Sequence, residues 1–267
     1  MQNPWTKFDP TGLKDKDPNK VHKQVQKDYK TYKDSLNKRA GAQNRLDKAT
    51  TGKERNAARR DIKEANKQIG ESAKAVREGV DDLRDLVGDK GSGVWIGGEG
   101  KDRQDGFDTL NQTVGGNASI NEYGFVHREG GAGDTKFDKA FDKLLQSDKQ
   151  TFVYYGISPS VTLNSRNYTG SGIARRIRGS WLSTQGTDIF LSRTQQRQVI
   201  SKNGDWFTPT NSMVMAHELM RAYSINVEGR KTATSYANIQ SVDRVNSIAE
   251  RLGVPQRGDY NKSRLIP

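Results

Sequence analysis

From Asn19 to Asp89 the chain repeats an apolar residue at every third or fourth position. Val21, Val25, Tyr29, Tyr32 and Leu36 form one series, and Ile69, Ala73, Val76, Val80, Leu83 and Leu86 form another. Each series puts a narrow apolar stripe on one face of a helix, with Lys, Arg, Asp and Glu filling the rest. Gly41 to Gly52, with its Gly and Thr, reads as a weak turn between them. Two long helices folded into a charged hairpin are predicted. Stripes this narrow suit pairing with a single partner, so the segment reads as a spacer that contacts the C-terminal part of the chain or packs elsewhere, or as a marginal coil that orders only in context, and it is expected to be separable from the C-terminal part. Gly91 to Gly100 supplies the break, and Val94-Trp95-Ile96 inside it reads as a short first strand. That stretch lacks a Gly-Lys-Ser/Thr signature and a Gly-x-Gly-x-x-Gly opening a helix, so no phosphate loop is assigned.

Beyond this break the pattern changes. Phe107 to Val126 alternates loosely with Gly and Asn, as twisted strands and turns do. Phe137, Ala140, Phe141, Leu144 and Leu145 predict a helix over Lys136–Leu145. Phe152–Ile157 and Asp188–Leu191 are strand candidates. Asn211 or Ser212 is placed to cap a helix over the next residues, and Ser241 to cap the last one, with Val242, Val245, Ile248 and Leu252 facing inward. The sum is an α+β fold: a small domain over 91–267 with one helix packed under a sheet.

That helix carries the most specific chemistry. The apolar run Met213, Val214, Met215, Ala216 leads into His217-Glu218-Leu219-Met220-Arg221. In the zinc-binding pattern His-Glu-x-x-His, two imidazoles one helical turn apart reach one ion, and the Glu deprotonates the bound water. Here the second ligand position is Arg221, whose guanidinium stays protonated and has no lone pair to give. His217 is therefore the candidate zinc ligand and Glu218 the candidate general base, with a fixed cation where the second ligand is due. The chain has only three His. His22 lies in the charged hairpin and reads as a surface residue, and His127 comes after a strand-like Tyr123-Gly124-Phe125-Val126. A further ligand would come from a later helix, and Asp243 is preferred over Glu228 in the Val-Glu-Gly loop. Tyr223, Tyr236 and Tyr260 are candidate oxyanion donors among which the residues do not choose.

Ala216-His217-Glu218-Leu219 with Ala222-Tyr223 resembles the active-site helix of the NleD-like effector metallopeptidases, which are gluzincin-type or related zinc proteases. Thr151-Phe152-Val153-Tyr154-Tyr155 and Val161-Thr162-Leu163 look like that family's paired strands. Asn246 to Arg257 followed by Tyr260 is similar to its closing helix and Gly-x-Pro-x-Arg tail. The resemblance covers residues 94–260. It implies a zincin-like metallopeptidase domain, zinc as cofactor and an intracellular protein as substrate. The family's second His falls on Arg221, and its acidic ligand falls near Asp243 or on Val245.

A second resemblance lies at the N-terminus. Asn3-Pro4-Trp5-Thr6-Lys7-Phe8-Asp9-Pro10-Thr11-Gly12-Leu13 looks like the boundary that closes the shell of RHS/YD-repeat proteins. It implies that residues 1–13 are a shell remnant, with Asp9 from the autoproteolytic apparatus and Leu13 the last shell residue. Residues 14–90 would be the charged helical segment and 91–267 the toxin domain of a secreted tip. The tip would be delivered into a target cell's cytoplasm, with the upstream shell and a cognate immunity protein as partners.

Composition bounds the alternatives. There is no Cys, so disulfides, thiol nucleophiles and cysteine zinc sites are excluded. No apolar run approaches membrane-spanning length, and no membrane partner is expected. Hydrophobic content is 32% and the net charge +12, with a mean hydropathy of −0.91. Residues 1–90 hold 22 Lys/Arg and 15 Asp/Glu, interleaved as in Lys14-Asp15-Lys16-Asp17. Such mixing is a solvated face more often than a phosphate track, which argues against nucleic acid as partner. Arg175-Arg176-x-Arg178 with Trp181 keeps open a basic toxin acting on nucleic acid or nucleotide. The other alternative is a non-catalytic binding module closed by Arg221.

Overall fold

The computed structural model describes residues 16–89, 92–131, 133–163, 170–178, 184–195, 197–230 and 235–266; residues 1–13, which carry the second resemblance, and Trp181 lie outside them. These residues form a mixed α and β architecture. The hairpin consists of α1 (Pro18–Lys48) and α2 (Gly52–Leu86). Asp17 caps α1, accepting from the Asn19 N–H, with Pro18 at the first helical position. Thr51 and Glu54 form a capping box at α2. The turn falls at 49–51, later than Gly41 suggested. Gly41 weakens a helix by only about 1 kcal/mol, an amount that packing beside the buried Ala42 offsets.

The hairpin packs on a four-stranded sheet of order β1-β4-β6-β5. Its strands are β1 (Val94–Ile96), β4 (Gln150–Tyr155), β6 (Thr184–Leu191) and β5 (Gly172–Arg178). β1, β4 and β6 run parallel, and β5 lies antiparallel at the edge. Alternation sorts the side chains between two cores. Trp95, Phe152, Tyr154, Ile177 and Phe190 face the hairpin and bury its stripe, Val25, Tyr29, Tyr32 and Leu36 from α1 and Val76, Val80 and Leu83 from α2. Val94, Ile96, Val153, Tyr155, Ala174, Ile189 and Leu191 face the other way. β4 is buried at all six positions, as a central strand covered on both faces must be. Tyr154 stacks on Tyr29 at 5.8 Å and on Phe190 at 5.0 Å between ring centroids. Arg77 of α2 pairs with Asp188 of β6 at 3.0 Å.

The stripe finds its partner in the sheet as well as in the facing helix. The short strand expected at Val94–Ile96 forms and is fully buried, with Trp95 1% exposed.

The second face is covered by α3 (Gly100–Thr113), α4 (Lys136–Leu145) and α6 (Asn211–Asn226), with α7 (Ser235–Asn246) packed on α6. Helix α3 replaces the strands expected from Phe107. Only β2 (Ala118–Ile120) and β3 (Val126–Arg128) form there, as an antiparallel pair. Val161–Leu163, expected as a strand, ends the short helix α5 (Pro159–Leu163). Pro159 opens it, and the Thr162 hydroxyl donates to the Pro159 carbonyl. Thr210, not Asn211 or Ser212, caps α6, accepting from the Met213 N–H at 3.2 Å. Asn211 and Ser212 instead donate to Tyr155 Oη and Gln112 Oε1. Ser241 is a buried residue inside α7, since that helix starts earlier, at Ser235. A second sheet, of order β8-β7-β9, joins β8 (Trp206–Phe207), β7 (Arg197–Ile200) and β9 (Ser263–Leu265).

Candidate functional site

His217, Glu218 and Arg221 line one cavity of about 180 Å³. Its floor is α6, which lies close against the start of β5. Gly172 permits that approach. A Cβ there would sit 2.6 Å from Val214 Cγ1 and 2.9 Å from Glu218 Cγ. The walls come from Ser171, Gln195, Arg197 and Val199 on one side and from Val242, Val245, Arg257 and Tyr260 on the other.

Glu218 is 4% exposed. Burial raises its pKa above the ordinary carboxylate value, against the pull of Arg221, the Ala174 N–H and Arg257. Arg221 Nη1 donates to Glu218 Oε2 at 3.2 Å. At an effective dielectric near 20, charges at that distance attract by about 5 kcal/mol, most of it offset by desolvation. His217 stacks on Tyr260 at 5.7 Å, with 22° between the rings. Burial first, then Arg257 and Arg221, hold its imidazole well below the usual value. It is therefore neutral at neutral pH.

The tail arrives over His217 because its backbone is clamped. Asn246 donates to the Arg257 carbonyl at 2.8 Å and accepts from the Arg257 N–H at 2.7 Å. Arg257 then lies over the Tyr260 ring at 4.9 Å and donates to the Tyr260 carbonyl. Arg197, on β7, donates to Ser263 Oγ at 2.6 Å.

The other candidates fall elsewhere. Asp243 is exposed and pairs with Lys136 at 2.8 Å, outside the cavity. Its neighbours Val242 and Val245 take the inward positions, because one residue along a helix turns the side chain by about 100°. Asp243 is thus not brought to His217, and Val245, the other candidate for the acidic ligand, brings no oxygen. Glu228 is held by Arg230 at 2.9 Å and by Arg244. Burial, which would raise its pKa, is outweighed by those two arginines, and the net shift is downward. His127 pairs with Asp89 at 2.9 Å. His22 is partly buried, not a surface residue, within hydrogen-bond reach of Arg103 at 3.1 Å. Tyr260 is in the cavity wall, Tyr223 lies under Arg244 instead, and the side chain of Tyr236 lies outside the described residues.

Zinc needs neutral imidazoles or carboxylates that are free to coordinate. Among the described lining residues those types are His217 and Glu218 alone, and Glu218 already faces a guanidinium. No cluster of three or more His, Asp or Glu suited to a metal occurs among the described residues. The residues present do not fit a zinc ion. Two cavity residues had escaped the sequence. Arg197 carries no local signal, whereas Arg257 belongs to the Gly-x-Pro-x-Arg tail without having been given a role.

Compared with family models, curated proteins and solved structures, the chain matches none. Among the described residues no helix is long and apolar enough to cross a membrane.

Proposed function

We propose that this chain is the toxin tip of an RHS-type polypeptide, built on a zincin-like scaffold whose metal position is taken by Arg221. In this reading the C-terminal unit acts as a binding module on a target protein, and a peptidase site remains in outline. The Arg221–Glu218 ion pair on the cavity floor carries the reading. Further support comes from strand β5, which among the described residues lies at the edge of its sheet and begins beside the cavity at Gly172. An edge beside a cavity is where an extended peptide can add by strand pairing. The shell, the immunity protein and delivery into a target cell derive from the N-terminal resemblance and stand or fall with it.

The test is zinc content and peptide cleavage in a substitution series. The native chain should carry no stoichiometric zinc. Arg221→His should gain weak zinc only, since no third ligand faces it. Arg221→His with Val245→Glu should bind zinc stoichiometrically, and adding Glu218→Gln should keep the metal while removing any cleavage. Val242→Glu replaces Val245→Glu if the latter fails to fold. Stoichiometric zinc in the native chain would overturn the reading. So would a folded double variant that takes up none, because the scaffold would then not be that of a metal-binding peptidase.

A further inference from the structure

We infer that the cavity over α6 is a binding site for a small oxyanion, of carboxylate or phosphate type, borne on an apolar group. Such a site rests on the proposed function and deepens it, since it names what the metal-free pocket takes.

The lining is cationic. Among the described lining residues, Arg197, Arg221 and Arg257 contribute three guanidinium groups and Glu218 one carboxylate, which Arg221 already faces; Asp259, outside the lining, also acts on Arg257. His217 adds a neutral ring with hydrogen-bonding nitrogens. Guanidinium forks match planar or tetrahedral oxyanions with paired N–H donors, which favours an anion over any neutral occupant. Arg257 is pre-positioned for this role. Its backbone is held on both sides by Asn246, and its guanidinium rests over the Tyr260 ring at 4.9 Å.

The rest of the wall is apolar. Met213, Val214, Val242 and Val245 and the faces of the stacked Tyr260 and His217 rings can hold a hydrocarbon or aromatic body behind the anionic head. At about 180 Å³ the cavity is below the roughly 300–1,000 Å³ of sites for drug-sized ligands. One amino-acid-sized group fits this description. The carboxylate at the end of a peptide and a phosphate group share the chemistry.

Calorimetric titration of the full chain distinguishes these sources. The probes are inorganic phosphate, N-acetylleucine and, as the uncharged control, N-acetylleucinamide. One-to-one binding of N-acetylleucine but not its amide assigns a carboxylate, and binding of phosphate alone assigns a phosphate. Arg257→Gln and Arg197→Gln should each weaken the productive probe by about tenfold, the scale of one charge-assisted hydrogen bond. Arg59→Gln, on the exposed hairpin, should leave it unchanged. Should Arg257→Gln fail to fold, Arg197→Gln alone decides. Binding of neither anion, or binding that responds to Arg59→Gln as much as to Arg197→Gln, overturns the inference. The two ideas fail separately. Zinc in the native chain refutes the metal-free reading, whereas a zinc-free chain that ignores both anions refutes only the anion site.

Discussion

Removing the hairpin should unfold the rest of the chain. The sheet face under α1 and α2 carries Trp95, Phe152, Tyr154, Ile177 and Phe190, each 7% exposed or less. Full burial of one such side chain contributes roughly 1.5–3 kcal/mol, so stripping five to solvent costs about 10 kcal/mol. A domain is stable by only about 5–15 kcal/mol in total. Asp188 would lose Arg77 in the same step. A chain beginning at residue 92 should therefore be insoluble or molten, with exposed apolar surface that binds a hydrophobic dye. A point substitution gives an independent check within the full chain. Tyr32→Ala removes the ring contacts to Tyr154 at 5.7 Å and to Phe190 at 6.5 Å, and should cost about 3–5 kcal/mol in urea unfolding. A monomeric 92–267 fragment that unfolds cooperatively at nearly the denaturant midpoint of the full chain would refute this reasoning.

Gly172→Ala should lower the melting temperature by several degrees, because the new methyl meets Val214, Glu218 and Leu191 at 3.0 Å or less and overpacking costs about 1–3 kcal/mol; an unchanged melting curve would show that α6 yields freely. Burial lifts Asp188 from 3.8 to about 6, more than Arg77, Arg175 and the Tyr154 hydroxyl lower it. A carboxyl raised on folding contributes stability that is complete below its unfolded value and lost as pH rises through 6. Asp188→Asn should remove that slope of about 3 kcal/mol between pH 4 and 6, measured as melting temperature against pH. His217 acts in the opposite direction. Its lowered pKa contributes stability above about 6.5 that is lost as pH falls, so His217→Gln should blunt acid destabilisation.

The legible parts of the sequence are those with strong periods. The two stripes of the hairpin and the helix over Lys136–Leu145 repeat at helical spacing, and the structure forms them. Val242, Val245, Ile248 and Leu252 are all buried as expected, but α7 ends at Asn246, so Ile248 and Leu252 lie in turns beyond it. Helix α3 is not legible because Gly100 opens it and Gly106 interrupts it, leaving Phe107 and Leu110 as its only large apolar residues. Gly106 is nonetheless required there, since a Cβ would press on Tyr155 at 3.0 Å and Ile96 at 3.3 Å. The docking of the hairpin was illegible for a different reason. β4 reads Gln-Thr-Phe-Val-Tyr-Tyr, a run buried on both faces, which hides the alternation that assigns Phe152 and Tyr154 to one side and Val153 and Tyr155 to the other. Within the site, His217, Glu218 and Arg221 were found from their spacing on one helix. Arg197 and Arg257 come from distant strands and tails, which only tertiary folding brings together.

On the proposed metal-site scaffold, the departures from a zinc centre are coupled. Arg221 stands where the second ligand would be due, yet a lone guanidinium in a cavity would be costly, and Glu218 answers it by using the carboxylate a general base would need free. Burial, reinforced by Arg257 and Arg221, keeps His217 neutral, so its imidazole retains the lone pair that a metal would have used. Val242 and Val245 then close the α7 side with hydrocarbon where a ligand carboxylate would restore negative charge. Each change makes sense in the presence of the others. Reversing Arg221 alone leaves Arg257 and an apolar wall facing two imidazoles. Adding a glutamate alone gives Arg221 and Arg257 a second anion to pair with and no metal. The effect of the two together on zinc affinity should therefore exceed the sum of the separate effects, as expected for residues that share one electrostatic site.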